Sequence, residues 1–236
     1  MNSNFAEVLR QIAGTTLHGV CDLSAFDKLK RDWGICLPQS HRQLLIDSNG
    51  VEGYYGYFRI FGIDGTESIN SMSWNEYDCW KFAWGDRASN YWCFAETAWG
   101  DQYAYALDEL RSGPGPEVYL LSAFSMTPEV IAPSFEAFIL NEFIRSAKEP
   151  YDATVVRALQ SIGPLGANDH LVYVPSILIA GSEDENSVEK MSARLAMTCN
   201  GDIAMQLDAG PPDKCVGGIE SYEDDLHRMR FKIVWN

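Results

Sequence analysis

Residues 94–121 read FAETAWGDQYAYALDELRSGPGPEVYLL, and the rest of the chain is organised around this stretch. Apolar and aromatic residues alternate with polar ones on both sides of Trp99-Gly100-Asp101, a pattern typical of neighbouring strands. A glycine followed by a carboxylate favours a turn, and the Gly-Pro-Gly-Pro sequence at 113–116 marks a second turn. The stretch therefore predicts adjacent strands of one sheet, and the flanking segments are expected to cover that sheet.

The segments on both sides of this sheet carry helical and strand patterns. Apolar spacings of three and four residues predict helices over 4–14, 24–34, 37–50 and 155–163, and after Ser134. Alternating runs predict strands over 54–61, 91–96, 103–107, 117–121, 170–180, 193–199, 203–207, 215–222 and 229–235. Asn200-Gly201 between two of these runs indicates a hairpin. We predict an α+β fold, with a mostly antiparallel sheet and helices packed against it in residues 1–147. A smaller β-rich domain would occupy residues 148–236.

Composition limits the class of protein. The chain has 236 residues and is 46% hydrophobic, which suffices for a core, and no apolar run is long enough to span a bilayer. No basic segment followed by an apolar one begins the sequence, so we expect a cytoplasmic protein. Six cysteines at wide, irregular spacings favour reduced thiols over a disulfide framework.

The net charge of −15 argues against direct nucleic-acid binding, which requires basic residues. Residues 64–117 contain ten acidic and three basic side chains, a net charge of −7. Such a stretch is either a solvated acidic face or a surface that attracts a basic partner.

Two further motifs are similar to the SUKH superfamily, the Smi/Knr-like proteins. Leu37-Pro38, a short helix and Ser48-Asn49-Gly50 resemble the family's opening motif, although His41 stands where its tyrosine is usual. The strands around Gly100-Asp101 and the helix after Ser134 resemble its central sheet and closing helix, so the resemblance covers about residues 22–146. It implies an α+β fold without an enzymatic reaction. In bacteria it implies an immunity protein that binds and neutralises a toxin, often a nuclease.

Motifs for catalysis, metal or cofactors are absent from the sequence: it has no Walker loop, dinucleotide fingerprint, GxSxG or HExxH. We therefore expect no cofactor. His41 is expected to be a packed or surface histidine. Glu96 and Asp101 form a carboxylate pair around a bend, and a hydrolase hypothesis would use them for acid–base work. The alternative is that they bond backbone amides of the sheet.

An aromatic and acidic segment supplies the candidate binding site. Its tryptophans could belong to the core or face a partner, and acidic groups around an aromatic anchor suit the capture of a basic protein. The candidate partner-binding residues are Trp74, Glu76, Asp78, Trp80, Trp84, Asp86, Glu96 and Asp101. The sequence thus predicts an immunity protein for a cationic toxin, with no membrane or nucleic acid as direct partner. The alternative is a regulatory or ligand-sensing scaffold with a pocket on the central sheet near Tyr103 and Tyr105.

Overall fold

The computed structural model of the chain describes residues 5–65, 70–113, 115–150, 152–180, 183 and 187–236. A seven-stranded antiparallel sheet lies at its centre, and each strand pairs with the next one along the chain. These strands are β1 (Thr16–Leu17), β2 (Val51–Gly53), β3 (Phe58–Ile60), β4 (Tyr91–Thr97), β5 (Gln102–Ala106), β6 (Val118–Leu121) and β7 (Pro128–Ala132). Two separate hairpins follow, formed by β8 (Asp169–Tyr173) with β9 (Val188–Ser192) and by β10 (Val216–Glu223) with β11 (Met229–Trp235). The predicted α+β class is therefore confirmed.

The described helices lie before, between and after these strands. They are α1 (Phe5–Arg10), α2 (Ser24–Trp33), α3 (Gln39–Asp47), α4 (Ser71–Trp74), α5 (Asp86–Ser89), α6 (Leu107–Ser112), α7 (Phe135–Phe138), α8 (Ile144–Lys148), α9 (Ala153–Ile162), α10 (Ile177–Ala180) and α11 (Ala193–Ala209). A π-helical turn, Ile139–Phe143, joins α7 to α8, and a 3-10 turn covers Lys81–Ala83. None of the described helices has the length and apolar composition needed to cross a bilayer.

The hairpin of β4 and β5 is the one that the sequence pattern predicts. Gly100 has a φ of +91°, a conformation that a side chain rarely adopts, and it closes the turn with a hydrogen bond to the Thr97 carbonyl. A Cβ at Gly100 would also lie 2.7 Å from Nδ1 of His170. This glycine therefore allows the turn to form and also lets the C-terminal part of the chain pack against it.

The two faces of the sheet have different cores. Trp92, Phe94 and Tyr105 point to one face, the helix-side core, which helices including α1, α2, α3, α7 and α9 cover. Cys93 and Ala104 point to the other face, which we call the tryptophan-side core. The other buried members of this second core are Phe61, Trp74, Trp80, Ala83, Trp84, Ala88, Leu121, Met126, Ala193, Met197 and Ala204. Residues before and after position 148 contribute to both cores.

The C-terminal part contains one clear error of sequence interpretation. The predicted strands over 193–199 and 203–207, with an Asn200-Gly201 hairpin, are a single helix, α11. Gly201 lies in the middle of this helix. A Cβ there would come within 2.9 Å of the Trp84 indole and of Ala83, so the position has no room for a side chain. The glycine marks a close contact between helix and ring, and not a turn.

Other differences are local. The predicted strand 54–61 divides into β2 and β3, because Tyr54, Tyr55 and Gly56 form a turn with positive φ between them. The predicted strand 170–180 ends at Tyr173 and is followed by α10, while β1, β7 and β9 were not predicted. Glu67 of the acidic stretch and Pro114 of the turn at 113–116 lie outside the described residues.

Candidate functional site

The three tryptophans proposed as partner-facing lie inside the protein. Trp74 is 3% exposed, and Trp80 and Trp84 are 0% exposed. Their indole N–H groups donate to Gln102 Oε1 at 2.7 Å, to the Trp74 carbonyl at 2.9 Å and to the Met197 carbonyl at 2.9 Å, respectively. The placement of these rings at a partner surface is therefore wrong. They lie between the sheet and α11, a helix that the sequence interpretation had divided into strands.

The acidic side chains of the same segment point outwards. Glu76, Tyr77, Asp78 and Asp86 are exposed, and we call this group the 76–86 surface. Tyr77, which the sequence analysis did not select, is 54% exposed and is the one large ring between described residues 70 and 90 that reaches that level. Its position between two acidic residues is the signal that could have identified it.

The basic residue of this segment points inwards. Lys81 is buried, and its Nζ donates to Asn75 Oδ1 at 2.8 Å and to the Tyr91 carbonyl at 2.6 Å. Burial lowers the pKa of Lys81 below its usual value. With its ammonium group held inside, Lys81 does not present a positive charge on the 76–86 surface.

The C-terminal hairpin supplies positive charge beside the 76–86 surface. Arg228 lies 2.9 Å from Asp78 and 2.8 Å from Asp224, and its guanidinium lies 4.1 Å from the centre of the Phe82 ring. Asp78 is therefore partly neutralised within the chain. Glu76 and Asp86, by contrast, form no salt bridge with any other described residue.

Asp86 also borders a surface cleft. The cleft has a volume of about 600 Å³, and its lining includes Asp86, Arg87, Asn90 and Asp208. Arg87 forms a salt bridge with Asp208 across it. Tyr91, Met126 and Pro128 also line the cleft, so its surface is mixed, and Asp86 is the one carboxylate of its described lining without a salt bridge.

Glu96 is the centre of a buried ionic network. It is 0% exposed, and its carboxylate lies 2.9 Å from Arg59 Nη2 and 2.9 Å from His170 Nε2. Gln102 Nε2 donates to the same carboxylate at 3.1 Å. Burial pushes the pKa of Glu96 upwards, but charge interactions with His170 and Arg59 outweigh it and hold the pKa below its usual value. Glu96 is therefore not a surface residue, and its selection as a contact residue is wrong.

Arg59 extends this network to the C-terminal part of the chain. Its guanidinium donates to the carbonyls of Gly166, Ala167 and Asp169, at 3.1, 2.5 and 2.5 Å. The network ties β3 and β4 to the segment that leads into β8. Such an arrangement stabilises the packing of two parts of the chain and leaves the carboxylate inaccessible to a substrate.

Asp101, the second carboxylate of the predicted pair, holds a turn. It accepts hydrogen bonds from Thr97 Oγ1 at 2.9 Å and from the Ala123 amide at 2.8 Å. Burial raises the pKa of Asp101 above its usual value. Asp101 thus accepts a hydrogen bond from a backbone amide, which is the alternative to acid–base work that the sequence left open. The described residues contain no group of histidine, cysteine and carboxylate side chains that could hold a metal ion.

The region of Tyr103 and Tyr105, where the alternative hypothesis expected a pocket, is packed core. Tyr105 donates or accepts a hydrogen bond with His41 Nδ1 at 3.0 Å, and its ring stacks on Phe94 with centroids 4.4 Å apart. An apolar pocket of about 340 Å³ lies elsewhere, between α10, α11, β8 and β10. The sequence pattern does not indicate this pocket, because it predicts strands where α10 and α11 form two of the walls.

Comparisons with known proteins agree with this architecture. The sequence model of the SMI1/KNR4 family (SUKH-1) matches residues 21–141. No curated protein matched the sequence. The crystal structure of Atu4351 from Agrobacterium tumefaciens is similar, with a TM-score of 0.57 at 10% sequence identity, over 95% of this chain and 96% of that chain. At this identity the similarity shows the fold alone. Its extent places the C-terminal part of the chain within the shared fold.

Proposed function

This chain belongs to the SMI1/KNR4 family (SUKH-1), and we propose that it is a bacterial immunity protein that binds and neutralises a cationic protein toxin. The toxin-binding role is the one that the family resemblance implies. The observation that carries the proposal here is the outward orientation of the acidic side chains of the 76–86 surface while Lys81 is buried. We propose that the protein acts in the cytoplasm and by binding alone.

Electrostatics supports a basic partner. The net charge of −15 produces a negative field that raises the rate of encounter with a positively charged protein. Glu76 and Asp86 are free of salt bridges to described residues, so an incoming arginine or lysine would not have to displace an intramolecular partner. Asp78 would have to exchange Arg228 for the partner's charge, which makes it the weaker contact.

Tyr77, and not Trp74, Trp80 or Trp84, is the exposed aromatic ring of the proposed interface. Exposed tyrosine rings are enriched among the residues that contribute most to binding, because they are large, rigid and both apolar and polar. Tyr77 stands between Glu76 and Asp78, so a ring and carboxylates are presented together. The proposed interface is therefore smaller and more polar than the one predicted from sequence.

Co-expression with the toxin domains encoded beside this protein in its native genome tests the proposal. We expect the protein to restore growth in the presence of one of them, and Glu76→Lys with Asp86→Lys to abolish that protection. The matched control is Asp27→Lys with Asp213→Lys, which makes the same change of charge at exposed positions outside the 76–86 surface. Failure to protect against every neighbouring toxin, or equal loss in the control, would refute the proposal.

Binding kinetics with the purified toxin provide a second test. Added salt screens charges over about 8 Å at physiological ionic strength, so the association rate should fall as salt increases. Tyr77→Ala should weaken affinity at least tenfold through faster dissociation, with an unchanged melting temperature. An association rate independent of salt would contradict the electrostatic part of the proposal.

A further inference from the structure

The apolar pocket near the C-terminus has walls from five elements, including Met191 of β9. Val172 of β8, Ile179 of α10, Cys199 of α11 and Ile219 of β10 line it, and Phe124 closes one side. Except for Phe124, every described residue of its lining lies outside residues 21–141, the part that matches the family. The pocket is thus built by the part of the chain that family membership does not explain.

The lining determines which chemistry the pocket can accept. None of the described residues of its lining is acidic, basic or histidine, so an ionised group inside it would lose hydration without gaining a counter-ion from them. Two neutral polar side chains of the lining form hydrogen bonds within the protein: Asn200 Nδ2 donates to the Ala123 carbonyl at 3.1 Å, and Ser176 Oγ accepts from the Leu178 amide at 3.3 Å. Burial raises the pKa of the Cys199 thiol to about 12, which keeps it neutral. The pocket therefore favours an uncharged, largely apolar occupant.

Its volume limits the size of that occupant. An apolar cavity of about 150 Å³ accommodates benzene. At about 340 Å³ this pocket is roughly twice as large and falls within the range of small-molecule sites, about 300 to 1,000 Å³. A bicyclic aromatic molecule or a chain of about ten carbon atoms, by the same proportion, would fill it.

We propose that this pocket binds one neutral apolar small molecule, of the size of a bicyclic aromatic or a ten-carbon chain. The molecule would lie between α10, α11 and β10, with its apolar body against Val172, Ile179 and Ile219. This inference does not depend on toxin binding. Either one can fail while the other stands.

The test compares 1-decanol with decanoate, which share a ten-carbon chain but differ in charge at neutral pH. Isothermal titration of the full-length protein should show saturable binding of one decanol per chain, and decanol should raise the melting temperature. Decanoate should bind at least tenfold more weakly. Absence of saturable decanol binding, or equal affinity for decanoate, would overturn the proposal. A pocket that accepts only a side chain of a protein partner would give the first of these results.

Two substitutions that fill the pocket locate the binding. Gly218→Leu places a side chain at a lining position where a Cβ has no neighbour within 4 Å, so the fold should tolerate it. Cys199→Phe fills the pocket from α11. Both should weaken decanol binding at least tenfold, while Gly19→Leu, the same substitution at another glycine with open space, should leave it unchanged. Wild-type affinity in both filling variants would also overturn the proposal.

Discussion

Acidification should destabilise this protein in part through His41, an imidazole held in the helix-side core. Its ring is 1% exposed and stacks on Phe135, with centroids 4.3 Å apart and planes within 9°. Nδ1 lies 3.0 Å from the Tyr105 hydroxyl, and Nε2 has no hydrogen-bond partner among the described residues. Burial lowers the pKa of His41 to about 3, because no neighbouring acceptor compensates for the lost hydration of the charged ring.

The size of the effect follows from linkage. In the unfolded chain the histidine protonates near pH 6.5, whereas in the folded protein it stays neutral until about pH 3. The folded pKa is depressed, so protons bind the unfolded chain in preference to the folded protein. The free energy of unfolding is therefore unaffected by His41 above pH 6.5 and decreases as the pH falls from 6.5 towards 3. Each pH unit in this window costs about 1.4 kcal/mol. Between pH 7 and pH 5 the loss due to His41 is therefore about 2 kcal/mol.

Urea unfolding of the wild type and of His41→Phe, each at pH 7 and pH 5, measures this loss. The variant loses the hydrogen bond to Tyr105 at both pH values, which gives a constant offset. All other titrating groups are common to the two proteins and cancel in the difference. The stability of the variant relative to wild type should thus rise by about 2 kcal/mol on going from pH 7 to pH 5. An unchanged difference would refute the assignment of a neutral, buried His41.

Three other substitutions test the packing of the C-terminal part. Glu96→Gln should lower the free energy of unfolding by about 3 kcal/mol, because it leaves the buried charge of Arg59 without its counter-ion. Gly201→Ala should lower it by about 1 to 3 kcal/mol despite the better helix propensity of alanine, because its Cβ would lie 2.9 Å from Trp84. Asp202→Asn removes a carboxylate that anchors β11, so limited proteolysis should cut the C-terminal hairpin faster.

The exposed residue Glu76 provides a reference for the first of these. Glu76→Gln should change the melting temperature by less than about 2 °C, since surface substitutions lie within about 0.5 kcal/mol. If Glu96→Gln had an equally small effect, the buried network would not be structural. Wild-type stability of Gly201→Ala, or a wild-type proteolysis pattern for Asp202→Asn, would show that α11 and the hairpin adjust at little cost.

Local patterns were sufficient to predict β4, β5 and β6 of the central sheet and the helices that cover it, but not the outer strands β1 and β7. In β4 and β5 the alternation of Trp92, Phe94, Tyr103 and Tyr105 with smaller residues matches two faces that are both buried, and Gly100 marks the turn. These elements depend on contacts close in sequence. A local pattern is therefore enough to identify them.

The C-terminal part depended on contacts that no local pattern records. Asn200-Gly201 favours a hairpin when considered alone. In the structure, however, Gly201 packs closely against Trp84, which lies more than a hundred positions earlier in the sequence. The burial of Trp74, Trp80 and Trp84 could not be predicted from their own segment either, because residues of α11 help to cover them. Glu76 and Asp86 were easier to place, since a charged side chain without a partner remains in solvent in almost any fold. Glu96 is the exception, because Arg59 and His170 pair with it inside the protein.

The predicted boundary at residue 147 can be judged by the groups that a cut there would leave without partners. The Trp84 indole would lose the Met197 carbonyl, and Arg59 would lose three carbonyl acceptors while keeping its charge. The tryptophan-side core would also lose the residues of α11 that cover it. Burial of rings and of an ionic network is cooperative, so these losses would occur together. We therefore expect the two parts to fold together, because the Trp84 indole and the tryptophan-side core both use residues of α11.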